Sequence, residues 1–358
     1  MRTTTRLREL LAGPELLVAP GAYDALSARL IAQAGFSAVY MTGFGTSASV
    51  LGQPDVGLLT MSEMEERAAA LAVVAGDVPL IADADTGYGN PINVRRTISE
   101  YERAGVAGLH IEDQVWPKKC GHMEGKQVIP VDEMVQKVRA AVDARQDPDF
   151  IIIARTDANA VTGFEDALRR GQAYREAGAD VIFIEAPRSV EELRAIGEAF
   201  QGVPLLFNWA ESGKTPLLPL NEIRALGFKL VIFPVSLLFA ATHAMLELLE
   251  LLKAGETPAR FSEQMVTFAQ FTTRSWSSRH SGVGTPLRSS MNSGVRGIRF
   301  FAANLEFCER HFHQRAGPGS HWKHEVNSRW GVLVHFNLDL FGKTDPQFPF
   351  QGFFWVPQ

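Results

Sequence analysis

The chain has 358 residues, with 35 Lys and Arg against 40 Asp and Glu, and its net charge of −5 argues against nucleic acid or an anionic membrane as the main partner. Hydrophobic residues at 46% and charged residues at 21% describe globular material for one large or two ordinary domains. Two cysteines, Cys120 and Cys308, exclude a disulfide framework and fit a reducing compartment. Met1 to Leu11 is basic and polar, without the apolar core of a signal peptide. No apolar run reaches the roughly 20 residues of a membrane helix, so a cytoplasmic protein is expected.

Eight short apolar runs follow in order: Leu16–Pro20, Ala38–Thr42, Val78–Ala82, Gly108–Ile111, Phe150–Ala154, Val181–Ile184, Pro204–Phe207 and Leu230–Phe233. They are apolar on both faces, as buried parallel strands are. Between them lie amphipathic segments: Asp24–Ala34, Ser62–Ala75, Asn93–Ala104, Val131–Ala144, Phe164–Ala177, Val190–Phe200 and Leu220–Leu226. Gly35, Gly105, Gly178 and Gly227 stand at helix-stop positions. Eight strand–helix units predict a (β/α)8 TIM-type barrel over residues 1–271. The alternative, a doubly wound open sheet, lacks its Gly-x-Gly-x-x-Gly after the first strand.

The polar ends of the runs carry the chemistry. Tyr40-Met41-Thr42-Gly43-Phe44 closes the second and Asp83-Ala84-Asp85 the third. Glu112-Asp113-Gln114, Arg155-Thr156-Asp157, Glu185, Asn208 and Ser236 close later ones. A barrel brings all these ends to one face, where active sites sit. A rim so rich in carboxylates repels itself unless a cation joins Arg155 there. Hard oxygens without a Cys or His cluster select Mg²⁺, or Mn²⁺, over zinc. Asp83 and Asp85, two apart, point the same way if the strand alternation continues. Asp55, in the loop after the second run, is within reach of a metal-bound water. In Lys118-Lys119-Cys120-Gly121-His122, two lysines precede the thiol and favour thiolate character. Cys120 and His122 have no second pair at zinc-ligand spacing, so they read as chemistry and not as ligation.

These motifs together resemble the isocitrate lyase/phosphoenolpyruvate mutase superfamily from about Leu7 to Phe271. The Lys-Lys-Cys-Gly-His loop resembles its lyase members. Pro20-Gly21-Ala22-Tyr23-Asp24 and Thr42-Gly43-Phe44-Gly45-Thr46 look most like the subgroup labelled carboxyvinyl-carboxyphosphonate phosphorylmutase. The resemblance implies that Asp83 and Asp85 hold Mg²⁺, with Asp55 and Glu112 completing its shell through waters. It implies that Thr42, Gly43 and Phe44 meet the carboxylate and carbonyl of an α-keto acid. Phe44 departs from the Ser-Gly-Gly of methylisocitrate lyases and would narrow the pocket. Arg155 is implied as the substrate clamp, Glu185, Asn208 and Gly121 as pocket residues, and Tyr40 as the group that helps deprotonate the 2-hydroxyl. Cys120, with Lys118 and His122 beside it, is implied as the acid that protonates the departing carbanion. A homotetramer with C-terminal helices packed across subunits is implied as well.

The implied reaction is Mg²⁺-dependent retro-Claisen cleavage of a 2-hydroxy di- or tricarboxylate, such as 2-methylisocitrate or a 2-alkylmalate. The alternatives are a phosphonomutase forming a P–C bond and an oxaloacetate decarboxylase or hydrolase. His110, His243 and Trp209 read as core, surface and packing residues. After about Phe271 the pattern breaks. From Arg274 the chain holds six of its nine histidines, four of its six tryptophans, and ten Lys and Arg against five Asp and Glu, without a 3.6 or 2 period. Residues 272–358 read as an atypical tail, a segment foreign to the barrel.

Overall fold

The computed structural model describes residues 1–121 and 123–272, and the backbone of 273–275, 323–327 and 331–335. Eight strands form in the expected order: β1 (Leu17–Ala22), β2 (Val39–Met41), β3 (Leu80–Asp83), β4 (Gly108–Glu112), β5 (Ile151–Thr156), β6 (Val181–Ile184), β7 (Leu206–Asn208) and β8 (Leu230–Phe233). All pair in parallel in the order β6-β5-β4-β3-β2-β1-β8-β7. An Ile182↔Leu205 bridge joins the ends, so the sheet closes into a (β/α)8 barrel.

Helices α2 (Ala25–Gln33), α4 (Met61–Ala75), α5 (Pro91–Arg103), α6 (Val131–Ala144), α7 (Phe164–Glu176), α8 (Val190–Ala199) and α9 (Leu220–Ala225) fall where the amphipathic segments predict them. Their starts are locally encoded. Asp24 with Ser27, Thr60 with Glu63 and Asn90 with Asn93 form reciprocal capping boxes. Their buried sides pack with the outward faces of the strands in one large apolar cluster.

A second cluster fills the barrel interior. Leu17, Ala19, Tyr40, Ile81, Ile151, Ile153, Phe183, Leu206, Leu230 and Ile232 meet there, joined by Leu7 and Leu11. Those two leucines belong to α1 (Thr3–Ala12), which the polar reading of the N-terminus misses. Leu7 is fully buried against residues from the strand starts, so α1 plugs the N-terminal end of the barrel. Arg2, Thr4, Thr5 and Arg8 fasten it to Asp147, Asp149 and Asp180.

One further helix stands where no helix is predicted. α3 (Gly43–Leu51) starts directly after β2, with Thr42 accepting the Gly45 N–H as its cap. After β8 come the C-terminal helices that the resemblance implies: α10 (Ser236–Lys253), none of whose residues is buried among the described residues, and α11 (Phe268–Ser275), which spans the expected boundary at residue 271. The chain divides into units of Met1–Gly282 and Val283–Gln358. In the second, β9 (Lys323–Asn327) and β10 (Gly331–His335) pair antiparallel, so strand structure does form in part of the tail where the sequence shows no period. No helix among the described residues is long and apolar enough to cross a membrane.

Candidate active site

Alternation along the strands selects the rim. With Ile81, Ile151, Phe183 and Ile232 facing the barrel axis, a period of two turns Tyr40, Asp83, His110, Glu112, Arg155, Glu185 and Asn208 inward too. Register sets neighbours, pairing Asp83 with His110 across β3–β4 and Glu112 with Arg155 across β4–β5. Asp85 is not part of this alternation. β3 ends at Asp83, and Asp85 sits in a left-handed turn (φ 47°), its N–H donating to Asp83 Oδ1 at 2.9 Å. Strand periodicity therefore does not aim the two carboxylates; the turn does.

The carboxylates gather around Lys118. Its ammonium lies 2.6 Å from Asp55 Oδ1 and 2.7 Å from Asp85 Oδ1, with the side chain 3% exposed. Burial works against that charge, but Asp85, Asp55 and Asp83 hold the lysine well above its ordinary value. Burial pushes Asp85 up to about 7, with Asp83 and Asp55 adding to the rise against Lys118. Burial also favours a neutral Asp83, yet His110, Lys118 and the Asp85 N–H outweigh it and keep that carboxyl below its usual range. Three buried carboxylates thus share one lysine. The set Asp55, Asp83, Asp85 and Glu112 is all hard oxygen and short of positive charge, which fits a hard divalent cation. Among the described residues no three such side chains converge as a ready metal cluster, since the Lys118 ammonium stands between Asp55 and Asp85.

Arg155 is bound on three sides. Nε and Nη2 donate to Asp157 at 2.9 and 3.1 Å, Nη1 lies 3.1 Å from Glu112 Oε2, and Nε lies 3.4 Å from Glu185 Oε2. Phe183 lies under its guanidinium, 5.2 Å from ring centroid to Cζ. Asn208 Nδ2 donates to both Glu185 oxygens, leaving its buried Oδ1 with no partner among the described residues. Burial pushes Glu112 well above the carboxylate range despite Arg155.

Tyr40 Oη lies 2.8 Å from His110 Nε2, which is 3.6 Å from Asp83 Oδ1. Burial, reinforced by Asp83, holds the phenol well above its ordinary pKa. Burial pulls His110 below its own, against Asp83. The core reading of His110 holds for its full burial and misses its contact with Tyr40. His243 is exposed, and Trp209 packs on Phe233.

The loop after β4 brings Cys120 to the rim. It leaves and returns through the Gln114↔Val128 bridge. Gln114 Nε2 donates to Glu112 Oε1 and to the Lys119 carbonyl, while Lys119 N–H donates back to Gln114 Oε1. Cys120 N–H donates to the Asp55 carbonyl at 3.1 Å. Lys119 Nζ donates to the Glu124 and Gly125 carbonyls, and Lys118 faces carboxylates. Gly121 nests where a Cβ would come within 2.7 Å of both Arg155 Nη2 and Glu185 Cδ, so only glycine fits. His122 lies outside the described residues.

Ten of the expected residues line one cavity of about 140 Å³: Tyr40, Thr42, Phe44, Asp55, Asp83, Cys120, Gly121, Arg155, Glu185 and Asn208. Gly43, Asp85, Glu112 and Lys118 are not among its lining residues. The Gly43 N–H is committed to Asp83 Oδ2 at 3.1 Å, and the Thr42 hydroxyl oxygen to the α3 cap, because α3 begins there. Phe44 lines the cavity, its ring edge-on to Phe239 at 6.0 Å. Sequence reasoning missed Phe239, whose signal is its place one turn into the helix after β8, and it assigned no role to Lys126 and Asp157.

The family model described as phosphoenolpyruvate phosphomutase matches residues 7–253. Over 271 residues the chain is 54% identical to the 2,3-dimethylmalate lyase of Eubacterium barkeri, covering 76% of this chain and 93% of that protein. It is 46% identical over 248 residues to the 2-methylisocitrate lyase of Bacillus subtilis strain 168, covering 69% and 81%. A crystal structure of 2,3-dimethylmalate lyase, a PEP mutase/isocitrate lyase superfamily member, matches with a TM-score of 0.69 at 39% identity, over 88% of this chain and 96% of that one. Phosphonopyruvate hydrolase in complex with oxalate and Mg²⁺ matches at 0.69 and 34%, over 77% and 95%. The chain belongs to the phosphoenolpyruvate mutase family, within the isocitrate lyase/phosphoenolpyruvate mutase superfamily, and is one of its carbon–carbon lyases.

Proposed function

We propose that the enzyme cleaves the C2–C3 bond of an alkyl-substituted malate, releasing an α-keto acid and a simple carboxylate. One observation carries this reading: Cys120 lines the same small cavity as Arg155, Tyr40 and Asp83. Among the described residues, Arg155 is the single cationic side chain on that wall, against Asp55, Asp83, Glu185 and Glu211. Phe44, Pro234, Val235 and Phe239 form its apolar side. An alkyl group suits that side better than the third carboxylate of methylisocitrate.

In this mechanism Arg155 binds a substrate carboxylate through a charge-assisted pair. The 2-hydroxyl proton passes to Tyr40 Oη as the phenol proton passes to His110 Nε2, and Asp83 balances the imidazolium that forms. The C2–C3 bond breaks with its electron pair moving to C3, and the Cys120 thiol protonates C3. Asp83 and Asp85, together with Asp55 and Glu112, would hold Mg²⁺ or Mn²⁺. When bound, such a cation polarises the oxygen of the emerging keto acid.

The test is keto-acid release from 2,3-dimethylmalate, 2-methylisocitrate and oxaloacetate, with and without EDTA, by wild type and Cys120→Ala. The dialkylmalate should turn over fastest and EDTA should abolish turnover. Cys120→Ala should lose about 10²–10⁴ in kcat with little change in KM. Wild-type turnover by Cys120→Ala would remove the cysteine from the mechanism. Faster turnover of methylisocitrate would overturn the substrate assignment.

A further inference from the structure

Lys126 is a charged residue that the mechanism above does not use. Its side chain is 1% exposed. A buried ammonium costs several kcal/mol unless its donors are satisfied, so its partners are informative. Nζ donates to the Gly121 carbonyl and, at 2.7 Å, to Asp157 Oδ1. Asp157 also receives both Arg155 hydrogen bonds. Lys126 therefore stands between the backbone next to Cys120 and the carboxylate that orients the arginine.

Other ties hold the near side of the loop. The Gln114–Lys119 pair fixes residue 119, and the Asp55 carbonyl holds the Cys120 N–H. At residue 121, where the loop meets the Arg155 and Glu185 side chains without room for a Cβ, the Gly121 carbonyl takes its hydrogen bond from Lys126. The Met123 N–H holds the Cys120 carbonyl at 2.9 Å, and without the Lys126 bond the Gly121 carbonyl loses its tie to Asp157 beside the arginine.

We propose that Lys126 is a positioning residue that fixes the separation between the Cys120 thiol and the Arg155 clamp by tying the Gly121 carbonyl to Asp157. The proposal rests on the lyase reading for its kinetic consequence and on geometry alone for its structural one. Lys126 does not touch the substrate. Its removal should displace the acid and leave carboxylate binding in place, which separates kcat from KM.

The experiment compares wild type, Lys126→Met, Lys126→Arg, Asp157→Asn and the double variant Lys126→Met/Asp157→Asn. All carry Cys308→Ser, so Cys120 is the sole thiol. Lys126→Met should lower kcat by about 10²-fold, the cost of misplacing a catalytic group by an ångström, with KM nearly unchanged. Iodoacetamide should label its Cys120 about tenfold faster, as local opening of the loop implies. Lys126→Arg, which retains a donor, should recover part of both. The double variant removes the buried charge with its partner and should regain stability over Lys126→Met, yet remain well below Asp157→Asn alone in kcat. It carries the test if Lys126→Met does not fold. Wild-type kcat and labelling in both Lys126→Met variants would overturn the proposal. If wild type releases no keto acid, the lyase reading fails, while the labelling rates still decide for or against the tether.

Discussion

At the scale of single residues, Asp157 joins two cations that would otherwise be buried together. Burial favours its neutral form, but Arg155 and Lys126 outweigh it and bring the carboxyl down to about 2. The unfolded chain would titrate it near 3.9. A carboxyl depressed in the folded state adds stability above its unfolded pKa, and that contribution fades as pH falls toward the folded value. Asp157→Asn should cost on the order of 2–3 kcal/mol at pH 7. The gap from wild type should narrow between about pH 4 and pH 2, because there the wild-type side chain also takes up a proton. Urea unfolding from pH 7 down to 3 measures it. A gap constant over that range would mean that the cost comes from packing and not from charge.

At the scale of elements, what was legible follows from period and burial. The strands of the barrel are apolar on both faces, and their starts and ends fall within a few residues of the apolar runs. The rim residues were legible for the same reason, because a polar residue ending an apolar run in a barrel has one place to go. α3 was not legible: Thr42-Gly43-Phe44-Gly45 reads as loop, with two glycines in its first turn. Gly43 is there for space, since a Cβ would come within 2.3 Å of Asp83 Oδ2. α1 was missed because its buried face is narrow, Thr4, Leu7 and Leu11 at successive turns among arginines and threonines. That narrow contact is still energetic. Leu7→Ala should destabilise the barrel by about 2–5 kcal/mol, the range for a fully buried leucine. Keto-acid turnover below the melting transition should be unaffected, because α1 closes the end of the barrel away from the rim. Thermal unfolding and the activity assay together check this, and a loss under about 1 kcal/mol would show that α1 is not a plug.

At the scale of the whole molecule, the barrel has its own closed sheet, its own two apolar clusters and a complete rim within residues 1–253. The sequence beyond differs in kind, being rich in histidine and tryptophan and basic where the barrel is acidic. The hairpin of β9 and β10 satisfies its ladder from within the second unit. A cut at residue 271 would sever α11 within its second turn, so the informative truncation ends the chain after Ser275. Every residue assigned to the cavity precedes that point, as does every group that fastens α1. The truncated chain should therefore keep kcat within about twofold and melt within a few degrees of the full chain, where roughly 2–4 °C corresponds to 1 kcal/mol for a domain of this size. A drop of about ten degrees would assign several kcal/mol of barrel stability to residues 276–358. A loss of kcat at unchanged melting temperature would instead place a contribution to the rim in that segment.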